Sequence, residues 1–469
     1  MKGFFLNASG NIITWIVVFF LIRLVGITNP PLETIDNWQQ VISCSIARNF
    51  LESDPNILYP QVDTSGNLPG YVASEFPLFS YLIFIISLIF GYQHWYGRLI
   101  NLIISSIGVY FFSWLTEKIT DRKTALVSGI ILLSSIWFSF SRKIIPDTFS
   151  ISLMFIGLYF CHLFITRGLQ WHLWLFVIFA LLGILTRIPS ISYLCILIIP
   201  LANKNQTTYV KEGLLVGVFV IIIVTMAWYF YWMPRLLGTY HNQLLFPRSI
   251  SAGFIELLRN WQGTLEKFYF RSFHSYLAFA CFLAGLVLII KDKKKYLIYG
   301  FLLFFMAFGV FMIKSGSVFS TRGYYIIPFT PVMAIISGYA VSRIPSRYYY
   351  IVLIAISLEG ILNQQQDFFI RKSQSYKLDL EQIADSFSTR KDLFIVNDNG
   401  SPQMLYFAHR KGWTVNNKII TDESSINALI EKGADYLLID KKSLENKWLK
   451  YPVAFQNNNI TIYKLTDQT

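Results

Sequence analysis

Pro77-Leu-Phe-Ser-Tyr-Leu-Ile-Phe-Ile-Ile-Ser-Leu-Ile-Phe-Gly91 is the apolar run on which the topology turns. If it crosses a membrane, every later loop changes side. If it does not, the polar stretch around it, residues 29–98, is one continuous loop. The run is short for a hydrocarbon core of about 30 Å, and it begins at proline, a favoured first helical residue. The placement of lysine and arginine decides between the two solutions. With the run lying on the surface, loops 117–123, 166–172, 203–211, 291–295 and 342–347 all share the side of the N-terminus, and Lys291-Asp-Lys-Lys-Lys295 disfavours the opposite choice. Those loops are expected to be cytoplasmic. Segments 29–98, 141–147, 186–189, 234–272 and 314–323 then face the exterior.

The whole chain supports a membrane reading. Hydrophobic residues fill 54% of its 469 positions and charged residues 14%, against about 25% charged in soluble globular domains. Eleven runs reach or approach spanning length: 12–27, 99–115, 125–140, 149–165, 173–185, 191–202, 214–232, 276–290, 296–313, 324–341 and 348–362. Tyrosine and tryptophan gather at run ends (Trp95, Tyr96, Trp171, Trp174, Tyr229, Trp232), where amphipathic rings favour the headgroup level. The net charge of +13 comes from short cationic loops, and no basic stripe marks a soluble face, so a nucleic-acid partner is not indicated. Cys44, Cys161, Cys195 and Cys281 have neither redox nor metal-ligand spacing. The first run ends in Leu21-Ile-Arg-Leu-Val-Gly26, without a small-residue cleavage site, and reads as a retained anchor.

After residue 366 the composition turns polar. Strand-like runs at 393–396, 436–439 and 460–465 alternate with helical stretches at 402–409 and 424–431, the pattern of a small α/β domain. The expected fold class is mainly α: a polytopic helical membrane protein of about 11 spans, with juxtamembrane helices in the first exterior loop and a small C-terminal extracytoplasmic α/β domain. The expected division is a transmembrane catalytic domain over 1–366, with its first exterior loop at 29–98, and a soluble domain over 367–469.

Three constellations on the exterior side could carry chemistry. Asp36, in Pro30-Pro-Leu-Glu-Thr-Ile-Asp-Asn-Trp-Gln, stands just beyond the first span and before a helical pattern. A carboxylate there can take a proton from an acceptor hydroxyl, or it can simply cap the helix. Ser141-Arg-Lys-Ile-Ile-Pro-Asp147 puts Arg142, Lys143 and Asp147 in a short exterior loop, where the positive-inside rule gives cations no topological reason to be. The two cations suit a phosphate; snorkelling and helix capping are the plainer alternatives. Lys314-Ser-Gly-Ser-Val-Phe-Ser-Thr-Arg322 offers Lys314 and Arg322 beside glycines that permit close approach of an anion, either a substrate phosphate or a lipid headgroup. Arg98 and Arg187 at outer helix ends are similar, Glu75 could ligate a metal or contact acceptor, and Arg23 inside the first span is expected to pair with a carboxylate or a phosphate.

In order of parts the chain resembles the GT-C class of membrane glycosyltransferases, the group that includes protein O-mannosyltransferases and aminoarabinose transferases. The resemblance covers roughly residues 12–341. It rests on Glu33-Thr-Ile-Asp36 after the first span, Glu75-Phe-Pro-Leu78 before a juxtamembrane helix, Tyr96-Gly-Arg98 at the next span, the spacing of Arg142 and Asp147, and Arg322, Tyr325, Pro328 and Pro331 late in the chain. Two departures stand out: Asp36 is followed by Asn37 where the family often has glutamate, and Glu75-Phe76 replaces a lysine often found before the proline-leucine pair.

The resemblance implies a sugar moved from a polyprenyl-phosphate donor to a hydroxyl of a protein, lipid or glycan acceptor at the extracytoplasmic face of a bacterial cytoplasmic membrane, with inversion. Asp36 would be the general base and Asp147 would assist at the acceptor. Arg98 and Arg322 would hold the departing phosphate, with Arg142, Lys143, Lys314 and Glu75 as further substrate contacts. A divalent metal ion, if one is used, would fall to Asp36, Glu75 or Asp147. The alternative reading is a polytopic transporter or lipid-linked glycan flippase, which calls for polar groups at the midplane or broken, repeated helices.

Overall fold

A computed structural model of the protein describes residues 10–33, 36–245, 247–444 and 450–465. Thr34 and Ile35 of the acidic motif lie outside the described residues. Two compact units emerge. The first comprises the chain up to Thr28, Trp95–Trp232 and Leu245–Phe368; the second comprises Asn29–His94, Met233–Leu244 and Phe369–Thr469.

The first unit is built mainly of helices. Tyr96–Ile119, Asp147–Arg167, Thr208–Tyr240 (whose last turns, from Met233, belong to the second unit) and Lys295–Ser315 are each long and apolar enough to cross a membrane, and Trp261–Arg271 with Tyr276–Lys291, bent by 93°, makes a fifth if the pair is one span. Shorter helices Ile12–Arg23, Arg122–Ser134, Gln170–Thr186, Thr330–Ser342 and Ser346–Leu362 form from other apolar runs. The protein is a multi-pass membrane protein with a small C-terminal sheet, as its composition implies. Helix starts follow local chemistry: Asp121 Oδ1 accepts the Thr124 amide at 2.9 Å, and Ser275 Oγ accepts that of Ala278 at 3.0 Å. Small residues then let helices approach. A Cβ on Gly108 would lie 2.2 Å from Ser152 Oγ, so the Tyr96–Ile119 and Asp147–Arg167 helices meet backbone to backbone there.

Three runs fold differently from their periodicity. Residues 191–202 fall in a 3-10 helix, Ile188–Leu197, with Pro189 in its first turn, followed by the single turn Ile198–Ala202. The run 324–341 opens as a 3-10 turn, Gly323–Ile326, and becomes α-helical only at Thr330, where Pro331 supplies a start. The run 125–140 breaks at Ser135, which is extended (ψ −165°), before the turn Trp137–Phe140.

In the second unit, Leu78–Phe90 is a 13-residue helix, about 20 Å long at 1.5 Å per residue, short of a bilayer core. It packs on the Asn37–Glu52 helix, with the Phe50 ring 5.3 Å from Tyr81 and 6.0 Å from Phe84, and leaves Leu88, Ile89 and Phe90 exposed.

The rest of the second unit is a five-stranded sheet in the order β2-β1-β3-β5-β4. Its strands are β1 Leu393–Val396, β2 Gly412–Thr414, β3 Ala434–Asp440, β4 Val453–Gln456 and β5 Ile460–Lys464. β1 runs parallel to both β2 and β3, whereas β5 is antiparallel to β3 and β4. Ile395, Leu437, Ile439 and Tyr463 form its core with Ile420 and Ile426 from the covering helices. The segment after the first span is built into this module: Gly412 N donates to Asp63 O (3.0 Å) and Gly66 N to Gly412 O (2.8 Å). Gly66 has φ +62°, and a Cβ there would fall 2.2 Å from the Trp413 indole.

Candidate active site

In the first unit the chemistry collects on the irregular segment between the Arg122–Ser134 and Asp147–Arg167 helices. Non-helical backbone inside a helical membrane bundle must find partners for its polar groups, since lipid offers none. Two buried carboxamides supply them. Asn101 Nδ2 lies 3.0, 2.9 and 2.9 Å from the carbonyls of Phe140, Lys143 and Ile145, while its Oδ1 accepts from Ser105 Oγ (2.8 Å) and Thr148 Oγ1 (2.9 Å). Gln364 Nε2 donates to Ser134 O (3.2 Å) and Ser135 O (3.0 Å), and its Oε1 accepts from the Ser139 amide (3.2 Å) and hydroxyl (2.8 Å). Neither carboxamide was singled out from sequence. For Asn101 a signal was present: Arg98, Asn101 and Ser105 share one helix face at i, i+3, i+7 within an apolar run.

This scaffold fixes the charged side chains. Lys143, fully buried, pairs with Asp367 at 3.0 Å and lies 4.5 Å above the Phe140 ring. Asp147 Oδ2 accepts from Arg187 Nη2 (2.8 Å) and Nε (2.9 Å), a charge-assisted pair buried on both sides. Arg187 in turn lies 5.4 Å from the Tyr324 ring, which packs on Phe140 at 6.1 Å. Arg98 is fully buried and donates to Arg142 O at 3.4 Å. Sequence reasoning ranked Arg187 low and placed Asp367 in the soluble domain; both belong to this cluster.

Arg142 differs from expectation in its partners. Its guanidinium donates to the carbonyls of Arg23 (3.0 Å), Val25 (2.7 Å) and Asp367 (3.3 Å), and stacks 4.1 Å over Phe368. It ties the end of the first helix to the loop. Arg23, fully buried, donates to Phe19 O at 3.0 Å and to the hydroxyls of Ser141 and Ser106, so hydroxyls and a carbonyl stand where a carboxylate or phosphate was expected. An intramembrane guanidinium needs acceptors, and neutral ones suffice when they are fixed. Arg322 is half-buried and Lys314 is exposed, and among the described residues neither side chain has a hydrogen-bond or ion-pair partner. Both side chains are open to an anion.

The second unit carries Asp36 and Glu75. Asp36 precedes the Asn37–Glu52 helix in the left-handed conformation (φ 60°, ψ 30°), and its side chain makes no capping hydrogen bond. Left-handed backbone is uncommon outside glycine, and it is held here by neighbours: Asn37 Nδ2 donates to Glu33 O (2.6 Å) and Gln40 Nε2 to Glu33 Oε2 (2.9 Å). Farther along the helix, Ser45 Oγ (2.7 Å), Asn49 Nδ2 (2.9 Å) and Arg48 Nη2 (3.0 Å) donate to Asp63 in the loop that follows. Burial is the largest single influence and opposes the Arg48 charge, but Asp63 together with Tyr406, Tyr92 and Glu52 outweighs it and the guanidinium is held above its ordinary value. Arg48 also donates to Tyr406 O (3.0 Å), and the Tyr406 hydroxyl meets Tyr92 and His94 Nδ1, each at 2.7 Å. Glu75 is half-buried just before the Leu78–Phe90 helix.

As a place for a divalent ion, the donor set is thin. Among the described residues no three His, Cys, Asp or Glu side chains are grouped as ligands, and Asp147 is committed to Arg187.

Comparison with known proteins bears out the expected likeness to GT-C membrane glycosyltransferases. The family model described as dolichyl-phosphate-mannose-protein mannosyltransferase matches residues 74–232. ArnT from Cupriavidus metallidurans is similar in its apo state (TM-score 0.65, 14% identity, 96% of this chain and 97% of that one). The structure of ArnT bound to undecaprenyl phosphate is similar too (TM-score 0.65, 13% identity, again 96% and 97%). The archaeal oligosaccharyltransferase AglB from Archaeoglobus fulgidus, in complex with an inhibitory peptide and a dolichol-phosphate, has a TM-score of 0.57 at 14% identity, over 91% of this chain and 69% of that one. At these identities the likeness to solved structures is one of fold. Among curated proteins none matches.

Proposed function

We infer that this chain is a membrane glycosyltransferase of the GT-C class that moves a sugar from a polyprenyl-phosphate donor to an acceptor hydroxyl, with inversion at the anomeric carbon. The fold and the family-model match support the class. The observation that carries the mechanism is the backbone of Asp36, a non-glycine residue in left-handed conformation at the mouth of a helix it does not cap. Strain of this kind, of order 1–3 kcal/mol, persists where the surroundings over-determine a functional geometry.

Asp36 is the base. Its carboxylate takes the acceptor O–H proton while that oxygen bonds to the anomeric carbon and the carbon–oxygen bond to phosphate breaks, the electron pair leaving with the polyprenyl phosphate. Asp147 has the other role. Asp147 Oδ2 accepts both guanidinium hydrogen bonds of Arg187, so the two act as a fixed pair that orients the acceptor. Arg322 and Lys314 meet the donor phosphate, and Arg98 adds positive potential as its charge develops, while Lys143 is held by Asp367 in the loop. Arg142 supports the loop. No step is routed through a metal. The reaction face is extracytoplasmic, in a bacterial cytoplasmic membrane, and the C-terminal module lies on that face.

The protein in vesicles, supplied with polyprenyl-phosphate sugars and a hydroxyl acceptor, is expected to release free polyprenyl phosphate and a product of opposite anomeric configuration. Passage of the intact lipid-linked sugar across the bilayer, with the glycosyl–phosphate bond unbroken, contradicts the enzyme reading and favours a flippase.

A further inference from the structure

Asp36 is held from both sides by the C-terminal module. On its N-terminal side, Leu32 O accepts the amide of Arg371 at 3.0 Å. On its C-terminal side, the Trp38 indole Nε1 donates to Gly400 O at 3.1 Å. The helix that follows is anchored twice more to the same module, by Arg48 to Tyr406 O (3.0 Å) and by Glu52 to His409 Nε2 (2.8 Å). At 100° per residue, positions 38, 48 and 52 fall within an arc of about 80°, so one helix face carries all three contacts.

The partner of Trp38 is itself rigid. Asn399 and Gly400 are consecutive left-handed residues (φ 49° and 81°) in the turn after β1. That turn is closed by Ser401 N to Asp398 O (2.8 Å) and by Met404 N to Asp398 Oδ2 (3.1 Å). Burial raises the Asp398 carboxyl above its ordinary value even with Lys377 beside it. The Gly400 carbonyl is thus presented from a fixed loop between β1 and the Gln403–Ala408 helix.

We propose that the C-terminal module is a positioning element of the catalytic apparatus, acting through the Trp38–Gly400 hydrogen bond to hold Asp36 in its left-handed conformation. Left-handed backbone at an aspartate relaxes when its neighbours are released. A base displaced on the ångström scale loses up to about 10²-fold in rate, because proton transfer needs hydrogen-bond distance to the acceptor oxygen. Donor binding is left alone, since Trp38 is not among the cations assigned to the phosphate. The proposal rests on the assignment of Asp36 as base.

The test uses the full chain in vesicles. Trp38→Phe keeps an aromatic ring, though a smaller one, and removes the N–H donor; kcat is expected to fall about tenfold or more with the donor KM unchanged and the melting temperature close to wild type. Combined with Asp36→Asn, it is expected to cost nothing further, because a positioning residue has nothing left to position. Should Trp38→Phe fold poorly, Gly400→Val, which strains a φ of 81° and so moves the carbonyl, is expected to give the same loss of kcat at unchanged KM. Wild-type kcat in Trp38→Phe while Asp36→Asn is inactive overturns the positioning role alone. An additive loss in the double variant overturns it too. Wild-type rate in Asp36→Asn overturns the base assignment and the positioning role together.

Discussion

Asp147 and Arg187 are oppositely charged, buried and joined by two hydrogen bonds. The pair is worth little net, because removing both charges from water costs about what their attraction returns; removing one partner leaves a buried charge with a cost of about 3–5 kcal/mol. Arg187→Met is therefore expected to destabilise the protein by about that amount, read from denaturant melts in detergent, and the double variant Asp147→Leu/Arg187→Met to recover much of it. A single variant as stable as wild type contradicts the pairing. A gentler electrostatic effect belongs to Glu381 in the C-terminal module. Burial would raise its carboxyl, but hydrogen bonds from His409 and Arg390 outweigh that and hold it at about 2, against an ordinary 4.5. The unfolded chain takes up the proton first as pH falls. The stabilisation is complete above pH 4.5 and is lost on descent towards pH 2. The side chain is 47% exposed, so solvent screening leaves a contribution of about 1 kcal/mol or less. Glu381→Gln should melt slightly below wild type at neutral pH, and the two curves should converge between pH 4.5 and 2; a gap that widens on acidification contradicts the assignment.

The element that depends most on single residues is the loop between Ser134 and Asp147. Its carbonyls at Phe140, Lys143 and Ile145 share one donor group, the Asn101 carboxamide. Asn101→Leu removes that donor; Phe140 O keeps the Lys143 amide at 3.2 Å, and the cost is about 1–3 kcal/mol for each buried polar group left unsatisfied. Asn101→Asp, nearly isosteric but without an N–H, is expected to be at least as damaging, and transfer activity should fall in both because Lys143 and Asp147 ride on this loop. Normal stability and activity in Asn101→Asp contradict that account. The second sensitive element is the junction of residues 63–66 with β2. Gly66→Val combines a φ of +62° with a Cβ only 2.2 Å from the Trp413 indole. Protease nicking between residues 54 and 70 is expected to rise in this variant, as the junction opens while the remaining core persists.

Across the molecule, what was legible in the sequence is what depends on averages. Every apolar run became helical, because burial and backbone satisfaction in lipid leave little else, and strands β1, β3 and β5 were found from their buried, β-branched runs. β4, an edge strand with mostly exposed side chains, has no alternation to detect, and β2 is only three residues long. The 3-10 helix Ile188–Leu197 has the same apolar composition as an α-helix. Asp36, Arg98, Lys143 and Asp147 were singled out as candidates from chemistry and order. The groups that meet Lys143 and Asp147, namely Asp367, Arg187 and the Asn101 carboxamide, were missed or ranked low because they are set by tertiary approach across long sequence separations. The same limit applied to Arg142, whose type fits a phosphate and whose place in the fold gives it carbonyls.

The central claim is that Asp36 is the base of a glycosyl transfer while Asp147, tied to Arg187, is not. The most direct measurement compares Asp36→Asn with Asp147→Asn and wild type, as single-turnover transfer from a polyprenyl-phosphate sugar in vesicles at matched amounts of folded protein. The account predicts that Asp36→Asn loses about 10²-fold or more in the chemical step at unchanged donor binding, and that Asp147→Asn keeps a measurable rate with a weaker acceptor KM. Undiminished transfer by Asp36→Asn contradicts it, as does a larger loss of the chemical step in Asp147→Asn than in Asp36→Asn.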